Sequence, residues 1–330
     1  MSFSKIVLTA LVVAAVGCAS PSPVPDAGAT AAVATGTDLI REVRAANTSG
    51  DPARARQLVE TARAVEGVTP TVLVAQSWVG RGALAAGDLD TAEAVGRRTY
   101  ADVQDVLKSR QLDEEPQLPL ALGASIELLA NVAVARDARS EAVAYLEGEM
   151  ARYGETSMAT RLQKNINLLS LEGERAPTLR STEFLGSERP PTLEALEGRV
   201  VLLFFWAHWC SDCKAQAPVI AQLASRYGSQ GLTVLAPTQR YGYVAGGKDA
   251  APDEEAAYIA QVWRDAYAGL TGTPVHLDAA NQRRYGVSTT PTLVLVDRQG
   301  RIRLYHPGRM SEDALDPLIR ELINAAPPTS

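Results

Sequence analysis

Cysteine and histidine are both scarce in this 330-residue chain, at three each. That leaves too little material for the disulfide frameworks that staple small secreted domains, or for a second metal-binding cysteine pair. Basic residues are outnumbered, 32 Lys and Arg against 38 Asp and Glu, for a formal net charge of -6. A chain so charged has no basic field for collecting a phosphate backbone, so nucleic acid is not expected as a partner. The apolar run Ile6 to Gly17 is too short to span a bilayer as a stable helix.

Apolar residues make up 46% of the chain, ample for packed cores, and the length suits two domains behind a leader. Lys5, the apolar run and the small residues before Cys18 are the three parts of a bacterial export signal, expected to be removed over residues 1–17. Ala15-Val16-Gly17-Cys18 resembles the lipobox of bacterial lipoproteins, which implies lipid attachment at Cys18. It departs from that pattern at Ala15, where Leu or Val is usual, so simple signal cleavage with an incidental Cys18 is the alternative reading. Residues 18–36, rich in Ala, Pro, Ser, Thr and Gly, read as a flexible tether.

Residues 37–173 carry apolar side chains at helical spacing, for example Leu89, Ala92, Val95, Val103 and Val106, and are expected to be all-α. Related openings recur at Ser49-Gly50-Asp51-Pro52, Ala86-Gly87-Asp88-Leu89 and Ala135-Arg136-Asp137-Ala138, each placing an Asp where a helix N-cap would stand. The 37-residue interval from Asp51 to Asp88 suits a helical hairpin repeat and resembles tetratricopeptide-like hairpins; a non-repetitive bundle is the alternative. A helical surface that docks a protein partner is the natural expectation for such a segment.

Residues 175–326 change character, with short apolar runs at Val200 to Trp206, Leu232 to Ala236, Pro274 to Leu277, Thr292 to Val296 and Ile302 to Tyr305. Helical stretches are predicted between and after them near Asp212 to Tyr227, Asp253 to Ala268 and Ser311 to Asn324, which defines an α/β domain. The run Val200 to Phe205 lacks alternation, as a central strand covered on both faces would.

Directly after that run comes Trp206-Ala207-His208-Trp209-Cys210-Ser211-Asp212-Cys213-Lys214. A strand, a tight loop and a helix start would put Cys210 among unpaired backbone N–H groups at the positive end of the helix dipole, which lowers a thiol pKa. Cys210 is therefore the candidate nucleophile. Cys213, one helical turn on, is the candidate resolving cysteine, and the couple needs no metal or organic cofactor. Ser211 and Asp212 between them are candidate redox-tuning residues. A structural zinc site would need further cysteines or paired histidines, and His208, His276 and His306 show no such spacing. Further on, Thr290-Pro291 stands before the run Thr292 to Val296. A cis bond there would leave the Thr290 backbone free to hold an extended substrate.

At these residues the chain resembles the thioredoxin superfamily, and within it the membrane-anchored TlpA/ResA-type thiol-disulfide oxidoreductases. The resemblance runs from Ala176-Pro177 through the Trp-Cys-X-X-Cys-Lys segment, Pro218, Thr273-Pro274, Tyr285-Gly286-Val287 and Thr290-Pro291-Thr292 to Gly308. It implies a central mixed sheet flanked by helices, a shielding and substrate-contacting role for Trp209, and a packing role for Trp206. Residues Thr238 to Thr273 fit the central insertion of that group. Two departures stand out: Phe204 replaces the buried acid of thioredoxin, and Gln216 replaces the helix glutamate of ResA-like members. Proton handling then falls to a water, to Asp212 or to His208, which reads as an exposed residue.

The resemblance implies thiol-disulfide exchange with exported proteins, more in the reducing direction, with protein thiols and disulfides as substrates and a thiol protein as electron donor. The expected location is the cell envelope, lipid-anchored and facing the periplasm. Ala19 lacks the acid that favours inner-membrane retention, which favours the outer membrane in a Gram-negative cell. The alternatives weighed are a metallochaperone of the Sco kind, which uses a longer cysteine spacing and a distal histidine, a thiol peroxidase, which needs a hydroxyl where Ala207 stands, and a non-catalytic adaptor.

Overall fold

The computed structural model describes residues 36–186 and 188–325. The export signal, most of the tether and Cys18 lie outside them. The described chain opens with seven helices: α1 (Gly36–Thr48), α2 (Pro52–Glu66), α3 (Pro70–Ala85), α4 (Leu89–Val106), α5 (Gln117–Ala135), α6 (Arg139–Tyr153) and α7 (Ala159–Ser170).

Local chemistry explains the first two turns. Asp51 caps α2 by accepting from Arg54 N–H at 2.9 Å, Pro52 fills the first helical position where no N–H is needed, and Asp88 caps α4 through Thr91 N–H at 3.1 Å. Gly50 and Gly87 before them adopt φ of 75° and 78°, the left-handed conformation glycine tolerates best. The third opening is displaced by one residue from the sequence expectation. Asp137 takes the left-handed position with φ 61°, and Ala138 stands at the N-cap with no side-chain bond. The backbone gives the register: the N–H groups of Asp51, Asp88 and Ala138 bond the carbonyls of Ala46, Ala83 and Ala133, each at 2.9 Å. Three helical hairpins thus share one turn geometry, and the third lacks the cap.

Helix α5 is predominantly apolar and buries Leu118, Leu122, Ile126 and Leu128 against α3, α4 and α6. It is long and apolar enough to cross a membrane, but a core helix meets the same test, and here the apolar faces pack on neighbouring helices.

The C-terminal part contains β1 (Phe184–Leu185), β2 (Val200–Phe205), α8 (Ser211–Tyr227), β3 (Leu232–Leu235), α9 (Pro252–Ala266), β4 (Val275–His276), α10 (Ala279–Arg284), β5 (Thr292–Val296), β6 (Ile302–Pro307) and α11 (Glu312–Asn324). The main sheet has the order β3-β2-β5-β6, with β2 parallel to β3 and the remaining pairs antiparallel; β1 and β4 form a small antiparallel pair. This is the expected mixed sheet flanked by helices. The short β1 and the six-residue α10 were not anticipated, since elements so brief leave little periodicity to detect.

Strand β2 is buried throughout because both its faces are covered. Val200, Leu202 and Phe204 pack with Ile220, Leu223, Ile259, Leu315 and Ile319 from α8, α9 and α11. Val201, Leu203 and Phe205 pack on the opposite face with Leu171, Leu179, Tyr285 and Tyr305. Past α7 the chain runs beside β6, with Gly173 N–H bonded to Ile302 O at 2.8 Å and Ile302 N–H to Glu174 O at 2.9 Å.

Candidate active site

The turn after β2 is closed by a hydrogen bond from Cys210 N–H to Ala207 O at 3.1 Å. Cys210 then stands at the N-cap of α8, where its Sγ accepts from Cys213 N–H at 3.0 Å. An N-cap position ordinarily held by an oxygen is here held by sulfur, in the field of a 17-residue helix whose N-terminus favours negative charge. Cys210 and Cys213 are joined as a disulfide with Cα atoms 5.3 Å apart. Cys210 is 3% exposed and Cys213 fully buried, while Ser211 and Asp212 between them face solvent.

The two neighbouring tryptophans part company. Trp206 is fully buried, donates from Nε1 to Ala236 O at 3.2 Å, and packs on the rings of Trp263 and Tyr267. Trp209 is 50% exposed, the most open aromatic beside the cysteines, and meets Tyr241 edge-on at 5.6 Å.

The peptide bond between Thr290 and Pro291 is cis. Phe205 pairs with Thr292 across the sheet, so the proline loop sits at the same end of the sheet as the loop bearing the cysteines. Neither backbone group of Thr290 is hydrogen-bonded among the described residues, and its hydroxyl is buried without a partner.

The segment Gly308 to Met310, of which the sequence reading reached only Gly308, borders the site. Following β6, Gly308 N–H bonds Pro291 O at 2.7 Å, Arg309 lies 3.8 Å from the Asp212 carboxylate, and Met310 N–H bonds Gln216 Oε1 at 2.8 Å. Three consecutive residues thus tie the proline loop to both ends of the first turns of α8. Gln216 is 1% exposed and its Nε2 has no partner among the described residues. Phe204, at the position of the missing acid, is buried against Tyr267.

His208 corrects the sequence reading: it is 2% exposed, not open to solvent. Burial pushes its imidazole below the ordinary histidine range, and a facing Glu255 carboxylate opposes that shift. The aromatic residues that cover it, Tyr241, Tyr243 and Tyr258, come from the insertion and from α9, far along the chain.

The sequence profile described as "Thioredoxin-like domain" matches residues 194–323. Residues 194–323 thus form a thioredoxin-like domain. Among similar proteins, the thiol:disulfide interchange protein HelX of Rhodobacter capsulatus is 29% identical over 157 residues, 46% of this chain and 78% of HelX. The thiol-disulfide oxidoreductase ResA of Geobacillus kaustophilus is 28% identical over 146 residues, covering 44% and 74%. ResA of Halalkalibacterium halodurans is 27% identical over 193 residues, covering 58% and 89%. With Cys210 capping α8, its disulfide to Cys213 and these relatives, the chain is a thiol-disulfide oxidoreductase.

Proposed function

We propose that the chain reduces disulfides in exported proteins, with Cys210 as nucleophile and Cys213 as resolving cysteine. The observation that carries this reading is the position of Cys210 Sγ at the N-cap of α8, next in sequence to an exposed Trp209 and at the sheet end that bears Thr290–Pro291. The field of the helix N-terminus favours the Cys210 thiolate. That thiolate attacks one sulfur of a substrate disulfide, forms a mixed disulfide and expels the other substrate sulfur as a thiolate. Cys213 then attacks Cys210 Sγ, releases the second substrate thiolate and leaves the Cys210–Cys213 disulfide. Two electrons pass to the substrate, and a donor dithiol protein restores them. The exchange uses only this couple, with no metal or organic cofactor.

Trp209 and the unengaged backbone of Thr290 would hold the substrate as an extended strand, with its scissile disulfide over Cys210. Direction and location rest on the sequence: the export signal, the TlpA/ResA resemblance, and the acid Asp212 next to the couple. Attachment of lipid at Cys18 would supply the membrane affinity; a fatty-acid analogue should label the wild type and not Cys18→Ala.

Trapping tests the assignment of the cysteines. Cys213→Ser should accumulate mixed disulfides with envelope proteins and Cys210→Ser should not; the reverse pattern would exchange the two roles. Pro291→Ala, with both cysteines intact, should lower substrate capture several-fold. Unchanged turnover would take the proline loop out of the site.

A further inference from the structure

His208 and Glu255 are among the most deeply buried polar residues in the described chain, 2% and 1% exposed. They face one another, His208 Nε2 to Glu255 Oε1, at 3.5 Å. The Glu255 carboxylate is already held by the backbone N–H groups of Tyr241 and Gly242 and lies in the first turn of α9, where the helix field favours a negative charge. No hydrogen bond satisfies His208 Nε2 among the described residues. Burial disfavours a charge on this imidazole, and the facing Glu255 carboxylate offsets part of that cost, so its protonation depends on the charges around it.

Three tyrosine rings, Tyr241, Tyr243 and Tyr258, meet the imidazole edge-on at 5.5, 5.3 and 5.3 Å. Among the described residues the charge of Lys214, on α8, opposes protonation of His208, while Glu255 favours it. The groups around the imidazole are therefore one acid, one base and three phenols, drawn from α8, α9 and the loop after β3. His208 is also covalently close to the chemistry, with Trp209 alone between it and Cys210. The same Tyr241 that meets His208 meets Trp209, and its backbone is pinned by Glu255.

We propose that His208 and Glu255 form a buried acid–base couple that tunes the Cys210 thiolate, with both as positioning residues acting through charge and through the Trp209 shield. The inference rests on thiol-disulfide exchange at Cys210–Cys213. Its content is electrostatic. Cys210–SH with a neutral His208 and Cys210–S⁻ with a His208 imidazolium contain the same number of protons and the same net charge. The proton lost from sulfur is matched by one gained at His208, with solvent as the exchange medium. Each ionisation then favours the other, and the two groups titrate as a pair. Glu255 makes the imidazolium tolerable in a buried setting and at the same time holds Tyr241 against Trp209. This arrangement supplies a counter-charge to the redox couple.

The test uses the full chain and reads His208 directly by NMR titration in the oxidised and the reduced protein, with His208→Gln identifying its signal among the three histidines. His208 should titrate at higher pH in the reduced protein, where the thiolate is present, than in the disulfide form. Reciprocally, the Cys210 thiolate absorbance in His208→Gln should titrate roughly half a unit to one unit higher, a three- to tenfold loss of thiolate at a fixed pH below the midpoint. A histidine that only fills space would leave both curves unmoved. Identical His208 titration in the two redox states overturns the proposal, and that comparison needs no variant to fold. Disulfide reduction by the wild type, measured in parallel, separates failure of this coupling from failure of the exchange activity itself.

Discussion

Asp212 lies between the two cysteines and would, alone, oppose a thiolate on Cys210. The structure adds Arg309 at 3.8 Å, with side-chain exposures of 64% for the acid and 54% for the base. An exposed pair of this kind contributes little to stability, about 0–1 kcal/mol, but it places charges of both signs beside the couple. Asp212→Asn leaves Arg309 unbalanced, stabilises the thiolate and the reduced form, and should make the couple more oxidising. Arg309→Ala should do the reverse. A one-unit thiol shift corresponds to about 30 mV for a two-electron couple, which bounds each effect. A glutathione redox titration of the two single variants and the double decides: opposite signs, with the double near wild type, are expected, and two unchanged potentials would show the charges to be screened. Asp212 was legible as a candidate from its place in the motif. Arg309 was not, because only folding brings the end of β6 to the start of α8.

The helices are joined by a buried charge cluster that no local pattern announces. Glu127 of α5 receives Arg161 at 2.7 Å, Lys164 at 3.0 Å and Asn165 at 2.9 Å, all from α7, and Arg81 of α3 at 3.2 Å. Burial by itself would raise its pKa; the surrounding cations outweigh that and hold the carboxyl far below the usual range. A carboxylate so depressed contributes stability above the pKa it has in the unfolded chain, and that contribution is lost as pH falls from there towards its folded value. Glu127→Gln should therefore cost about 3 kcal/mol near neutral pH, with the gap to wild type closing as the pH falls below about 4. Urea melts followed by circular dichroism across that range measure it, and a pH-independent gap would assign the loss to packing. The caps at Asp51 and Asp88 were readable because a cap depends on residues within one turn. The missing third cap was misplaced by a residue because Asp suits both an N-cap and a left-handed position, and only the backbone path distinguishes them.

The helical half and the redox half meet at Gly286. This residue has φ 62°, and an added Cβ would fall 2.3 Å from Lys164 N on α7. Its carbonyl and that of Tyr285 accept from the Tyr305 hydroxyl at 3.2 and 2.8 Å, and the chain continues from there to Pro291. Gly286→Ala should destabilise the protein by roughly 2–4 kcal/mol through strain and displacement of α7, and should slow exchange although both cysteines are intact. Gly148→Ala is the control, since nothing lies within 4 Å of its added Cβ, and it should be neutral or slightly stabilising. Equal stability of the two variants, read by thermal melting, would remove α7 as a support of the proline loop. The sequence by itself determined the fold class of both halves, the buried central strand, the helix start beneath Cys210 and the proline loop opposite it. Each of these follows from hydrophobic period, capping chemistry or backbone restriction over a few neighbouring residues. Only the tertiary structure decided that His208 is buried against Glu255, that Arg309 faces Asp212, that Met310 meets Gln216 and that α7 rests on Gly286. Those contacts join residues far apart in the chain, and their energies depend on exclusion of water and on the distance between charges, which no local pattern encodes.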